Sequence, residues 1–161
     1  MLVPSAEERF RRGLEAFQTG RQREALALFE TAIELERRSG KKRPQARYLS
    51  YYGLCLALEE NRVRDGIEIC RQALPLESYN ADLHLNMARA LLVAGRRREA
   101  HEQLLRGAGL APGHAEIYRA LHAMGLRRRP AIPFLRRDNP LNVLLGRLTR
   151  PERVAPRTAI R

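Results

Sequence analysis

Apolar positions in the first 125 residues fall in stripes of helical period, broken at near-regular intervals by Gly, Asn or Pro. Phe10, Leu14 and Phe17 lie four and three apart, and Gly20 follows. Ala25, Leu28, Phe29, Ala32, Ile33 and Leu35 make a wider stripe that ends at Gly40. The pattern returns as Leu49, Tyr52, Gly53, Leu56 and Ala57, then as Gly66, Ile67, Ile69, Cys70, Ala73 and Leu74. Met87, Ala88 and Leu91 precede Gly95, Ala100 to Gly107 precede Pro112, and Ile117, Leu121 and Met124 precede Gly125. This periodicity predicts helices over 6–18, 22–38, 45–59, 64–74, 81–94, 98–108 and 114–124. Ser5 with Glu8 has the spacing of a capping box, and Asn80 can cap the fifth helix. Strand formers are scarce beside Leu, Ala, Glu and Arg, so the predicted class is all-α.

The second helix of each pair carries one spacing three times, in steps of four and three: Ala25, Phe29, Ala32; Gly66, Cys70, Ala73; Ala100, Leu104, Gly107. The first helices add Gly13, Gly53 and Ala88, placed 12, 13 and 12 residues ahead of the matching small residue. Small residues let helix axes approach to about 8–10 Å, so these positions read as helix crossings. A unit this short cannot bury its own apolar face and needs stacked neighbours.

This pattern resembles the tetratricopeptide repeat, a 34-residue helix–turn–helix unit with a closing Pro. The stretch 81–114 has that length and Pro112 near its end, and the resemblance covers about residues 6–125. Arg9 and Arg12 depart from it by standing where large apolar residues are usual, and 40–45 is an insertion. The resemblance, to the small bacterial members, implies a right-handed superhelical solenoid of three helix pairs (6–39, 46–80, 81–114) with a capping helix at 114–125. It implies a non-enzymatic scaffold or adaptor that grips a peptide or helix of another protein in a concave groove. By position, that groove would present Phe10, Leu14 and Phe17, then Arg47, Tyr51, Leu54 and Leu58, then Asp82, Leu85, Asn86 and Arg89, then Arg119. An apolar floor with basic and amide groups toward one end suits an amphipathic helix or an extended peptide with an acidic end. The bland alternative is that Phe10, Leu14 and Phe17 pack on the third helix as core. One version of the family clamps a carboxylate with Lys and Asn, but Phe10, Leu14 and Asp82 stand where its polar residues are needed. Bacterial secretion chaperones of three repeats are a further resemblance in length and repeat number.

Composition changes the picture at the C-terminus. The chain has 161 residues and a net charge of +12, and residues 127–161 hold 10 Arg against Asp138 and Glu152. Arg127, Arg128, Arg129, Arg136, Arg137 and Arg147 thus mark 126–161 as a basic tail, distinct from the solenoid of 1–125. Within it, Asn139-Pro140 starts a short predicted helix (139–148) with Leu141, Leu144, Leu145 and Leu148 on one face. Ten residues make a marginal helix alone, so it is expected to cap the last repeat, fill the groove, or bind a membrane, another protein or a second copy. The alternative function is therefore an electrostatic tether to anionic membrane or nucleic acid. Aromatics do not interleave with the basic runs, so base stacking is not indicated.

Candidate chemistry adds little. His84, His101, His114 and His122 have no metal-ligand spacing, so surface or groove positions and no metal are expected. Cys70 replaces the repeat aromatic and is expected in the core, with Cys55 nearer a surface. No phosphate loop, nucleotide fingerprint or nucleophile elbow is present, so no cofactor and no enzyme activity are expected. Two Cys, no signal-peptide pattern and no apolar run near 20 residues point to the cytoplasm, with peripheral membrane contact as the variant reading.

Overall fold

The structure is a computed structural model that describes residues 5–40, 43–59 and 62–125, the side chain of residue 59 excepted. It divides the chain into two compact units, residues 1–124 and 125–161. The predicted 139–148 helix, the tail arginines and all three proposed docks lie outside the described residues. Among the described residues there are seven helices and no strand: α1 (Ala6–Gln18), α2 (Gln22–Arg38), α3 (Ala46–Glu59), α4 (Val63–Ala73), α5 (Ala81–Val93), α6 (Arg97–Leu110) and α7 (Ala115–Met124).

Five of the helices start by one of two devices. Ser5 Oγ accepts from the Glu8 amide at 3.1 Å and Asn80 Oδ1 from the Asp82 amide at 3.1 Å, so α1 and α5 carry side-chain caps. The second helices α2, α4 and α6 instead begin on arginine, with φ near −85° and ψ near 60° each time (−85/63, −88/53, −80/59). Each of these arginines pairs with an acid three residues on: Arg21 with Glu24, Arg62 with Asp65, Arg96 with Glu99. The acid also sits favourably at the positive end of the helix dipole. At the other end, Gly20 and Gly95 turn the chain at φ +76° and +72°, a region that L side chains rarely adopt. The sixth helix runs two residues past its predicted end. Gly107 does not break it, because that glycine lies in a packed crossing rather than at a turn.

Every position of the repeated spacing is buried: Ala25, Phe29, Ala32, Gly66, Cys70, Ala73, Ala100, Leu104 and Gly107, with Gly13, Gly53 and Ala88 facing them. A methyl at Gly53 would lie 2.7 Å from the Gly66 carbonyl oxygen and 2.9 Å from Cys70 Sγ. Thus α3 and α4 touch backbone to backbone. At Gly13 a methyl would instead strike the Phe29 ring, at 2.5 and 2.7 Å. The pairs α1–α2, α3–α4 and α5–α6 pack most closely; α3 also packs on α2 and α5, α5 on α4, and α7 on α6. Two main clusters result. One gathers Phe10, Phe29, Tyr48, Cys55 and Leu56; the other gathers Ile67, Cys70, Met87, Leu91, Leu104 and Ile117. Stability therefore passes from neighbour to neighbour, as in any stacked repeat.

Gln45, just ahead of α3, is anchored to the end of α2. Glu36, 1% exposed, accepts from the Gln45 amide at 2.7 Å and from Gln45 Nε2 at 2.9 Å. A buried carboxylate needs such donors. Both cysteines are free thiols in the core, which corrects the expectation for Cys55: α3 packs against three helices and leaves little of its circumference outside.

These contacts predict three outcomes by chemical denaturation. Gly53→Ala lowers stability by about 1–3 kcal/mol, because the clash with backbone outweighs the gain in helix propensity of about 1 kcal/mol. Gly109→Ala, with nothing within 4 Å of the added methyl, raises stability by roughly 0.5–1 kcal/mol. Burial, with Cys55 adding to it, pushes the Cys70 thiol from 9.0 up to about 12. The unfolded thiol ionises first, so this contribution is complete below pH 9 and is lost, by about 1.4 kcal/mol per pH unit, as pH rises toward 12. Cys70→Ala should remove that part of the alkaline slope.

Candidate partner-binding groove

The helices α1, α3, α5 and α7 stand at the first-helix positions of the repeat, and their second residues are Glu7, Arg47, Asp82 and Glu116. These charges are joined between helices. Arg47 pairs with Glu7, which also accepts from the Tyr48 hydroxyl at 2.8 Å. Burial first, then that hydrogen bond, raises the Tyr48 hydroxyl far above its ordinary value. The Arg47 guanidinium also lies 5.1 Å from the Phe10 ring centre and 5.3 Å from that of Tyr48. Farther along, Arg89 pairs with Glu116 at 2.7 Å and His114 with Asp82 at 3.0 Å.

The predicted groove residues divide into two sets. Phe10, Leu54, Leu85 and Asn86 are 2%, 0%, 2% and 1% exposed, which corrects their placement on an open floor. Phe10 stacks at 4.5 Å on Tyr48, 5.4 Å from Phe29 and 5.7 Å from Tyr51, so it is core between α1, α2 and α3. Asn86 sits in the α3–α5 contact, with Nδ2 donating to Ser50 Oγ at 3.2 Å. Its Oδ1 is buried without a hydrogen-bond partner. The amide also reaches the Tyr51 hydroxyl. Asn86 thereby fastens α5 to α3.

The second set stays accessible. Leu14, Phe17 and Tyr51 are half-buried, Leu58 is exposed, and Phe17 meets Tyr51 edge-on at 6.0 Å. Burial, and next the charge of Asp82, raises the Tyr51 hydroxyl above its ordinary value, so it stays protonated at neutral pH. Val93 was not anticipated. It is exposed and lies twelve residues past the start of α5, as Leu58 lies twelve past the start of α3; that shared register was the available signal. The basic character expected toward one end is also corrected. Arg47 and Arg89 are matched by Glu7 and Glu116, two acids that sequence reasoning left out, and Arg119 stands 4.0 Å from Glu116.

Other expected features resolve as follows. His101 and His122 are exposed, whereas His84 is buried, its ring nitrogens engaged by Gln103 Oε1 at 2.9 Å and the Ser78 carbonyl at 3.1 Å. Surface or groove positions therefore do not account for His84, which packs inside because α6 covers it. Among the described residues no group of His, Cys, Asp and Glu could hold a metal ion, and no helix is long and apolar enough to cross a membrane. A cavity of about 400 Å³ lies among Ser5, Glu7, Leu35, Glu36, Gln45 and Tyr48.

Comparison with known proteins agrees with this geometry. Residues 57–124 match the family model described as the tetratricopeptide repeat. A comparison with curated proteins finds no match. Among solved structures, the chain is similar to the tetratricopeptide-repeat domain of Arabidopsis OM64, with TM-score 0.59 and 19% identity over 74% of this chain and 93% of that one. It is similar to the first tetratricopeptide-repeat domain of Spaghetti (RPAP3), bound to an HSP90 peptide, with TM-score 0.58 and 14% identity over 74% and 90%. A third similar structure is PcrH in complex with the chaperone-binding region of PopB, with TM-score 0.56 and 17% identity over 74% and 93%. Residues 57–124 thus match the tetratricopeptide repeat, and the stacked helix pairs with their buried small-residue spacing have the fold of the tetratricopeptide-repeat structures.

Proposed function

We propose that this chain is a non-catalytic binding module that holds an apolar-faced, largely uncharged segment of another protein in its groove. The observation that carries the reading is the pairing of charges near the starts of the first helices, on helices that also carry accessible Leu14, Phe17, Tyr51, Leu58 and Val93. Compensated charges offer little to an acidic ligand, whereas exposed apolar side chains at repeated register offer area to bury. Two similar structures are complexes, one with an HSP90 peptide and one with a region of PopB, which supports a protein ligand here. A carboxylate clamp is disfavoured because Phe10, Leu14 and Asp82 occupy the places of its polar residues. Two buried free thiols suit a reducing compartment, so the cytoplasm is the proposed setting.

The composition of the tail favours a second role, attachment to an anionic surface. Residues 127–161 hold a net +8 of the chain's +12.

Selecting a random peptide library on the full chain tests the first reading. The expected ligands are rich in spaced apolar residues, lose at least tenfold in affinity for Leu58→Glu with Val93→Glu, and vary little between 50 and 500 mM NaCl. Ligands that bind the double variant equally well would overturn it. For the second role, removal of residues 127–161 should abolish low-salt sedimentation with anionic vesicles; unchanged sedimentation excludes it.

A further inference from the structure

The last helix is attached unlike the others. Ile117 is the one buried side chain of α7, whereas α2 and α5 each bury seven or more residues. Ile117 fits against Gly107, where its Cδ1 would lie 2.8 Å from an added methyl, and closes over the end of the cluster that holds Leu104. Ala120, Leu121 and Met124 pack against that cluster but are themselves only partly buried. The remaining attachments are polar and open to water. Arg89 reaches Glu116, His114 reaches Asp82, and Arg97 Nη2 donates to the Met124 carbonyl at 3.0 Å. Exposed pairs of this kind are individually weak and screened by salt. The chain enters α7 through Pro112 and Gly113, whose φ of +97° makes the turn a natural pivot.

We propose that α7 is a detachable end wall of the groove, which swings away at residues 111–114 while α1 to α6 stay folded. A chain can open in parts whose local stability is well below the global value. Opening uncovers the notch at Gly107 and the face around Leu104, so that the groove continues onto a fresh apolar surface. A segment longer than the closed groove then has somewhere to lie. The latch is polar by design of the sequence: Glu116 and Asp82 are matched by Arg89 and His114 across the gap that opens.

Hydrogen exchange of the free, full-length chain tests this with no ligand present, so the result stands apart from the groove reading. At 50 mM NaCl the amides of residues 119–124, corrected for intrinsic rates, should exchange at least tenfold faster than those of 85–91. Glu116→Gln combined with Arg97→Gln should raise the α7 rates a further severalfold and leave the α5 rates unchanged. Ile117→Ala should abolish α7 protection while helical circular dichroism falls only by the share of that helix. Equal protection of α5 and α7, or variants that shift both helices together, would overturn the proposal.

Discussion

The close approach of α3 and α4 at Gly53 and Gly66 sets the rest of the structure. With no side chain on either, the two backbones meet, and Cys70 fits beside them in place of a larger residue. The Cys70 thiol then reaches the Ser50 carbonyl at 3.4 Å. Ser50 in turn receives the Asn86 amide, so the same short stretch of α3 locates α5. A central pair at this separation fixes where the flanking pairs can stack. Close packing of this kind tolerates little change in volume.

Around that axis the molecule uses two kinds of adhesive. The α1–α3 end is aromatic: Phe10, Phe29, Tyr48 and Tyr51 contact one another, and Arg47 lies over two of the rings. The α5–α7 end is aliphatic and small, built of Ala88, Ala90, Ala100, Leu91 and Leu104. Aromatic rings bury large areas with specific geometry, whereas a small-residue core depends on near contact of backbones. The first helices are thus joined through rings, whereas α7 buries one isoleucine and lays Ala120, Leu121 and Met124, each partly buried, on its neighbours.

Much of the fold was legible because helix crossings demand small residues and cores demand period. Gly13, Gly53 and Ala88 announced the crossings, and every residue of the four-and-three spacing is buried as that reading requires. The groove was less legible. Periodicity tells which face of a helix is apolar, but not how many neighbours share that face. For Leu54 and Leu85 the neighbours cover it; for Leu58 and Val93 they do not. Charge was misread for a related reason. Arg47 and Arg89 look free along the chain, and their partners Glu7 and Glu116 come close only through stacking, across 40 and 27 residues.

One anchored carboxylate has a wider consequence. Glu36 at the end of α2 holds both the backbone and the side chain of Gln45, just ahead of α3. A single carboxylate at the end of one helix thus sets where the next one begins, so the offset between the first two pairs of the stack is written in two residues, Glu36 and Gln45.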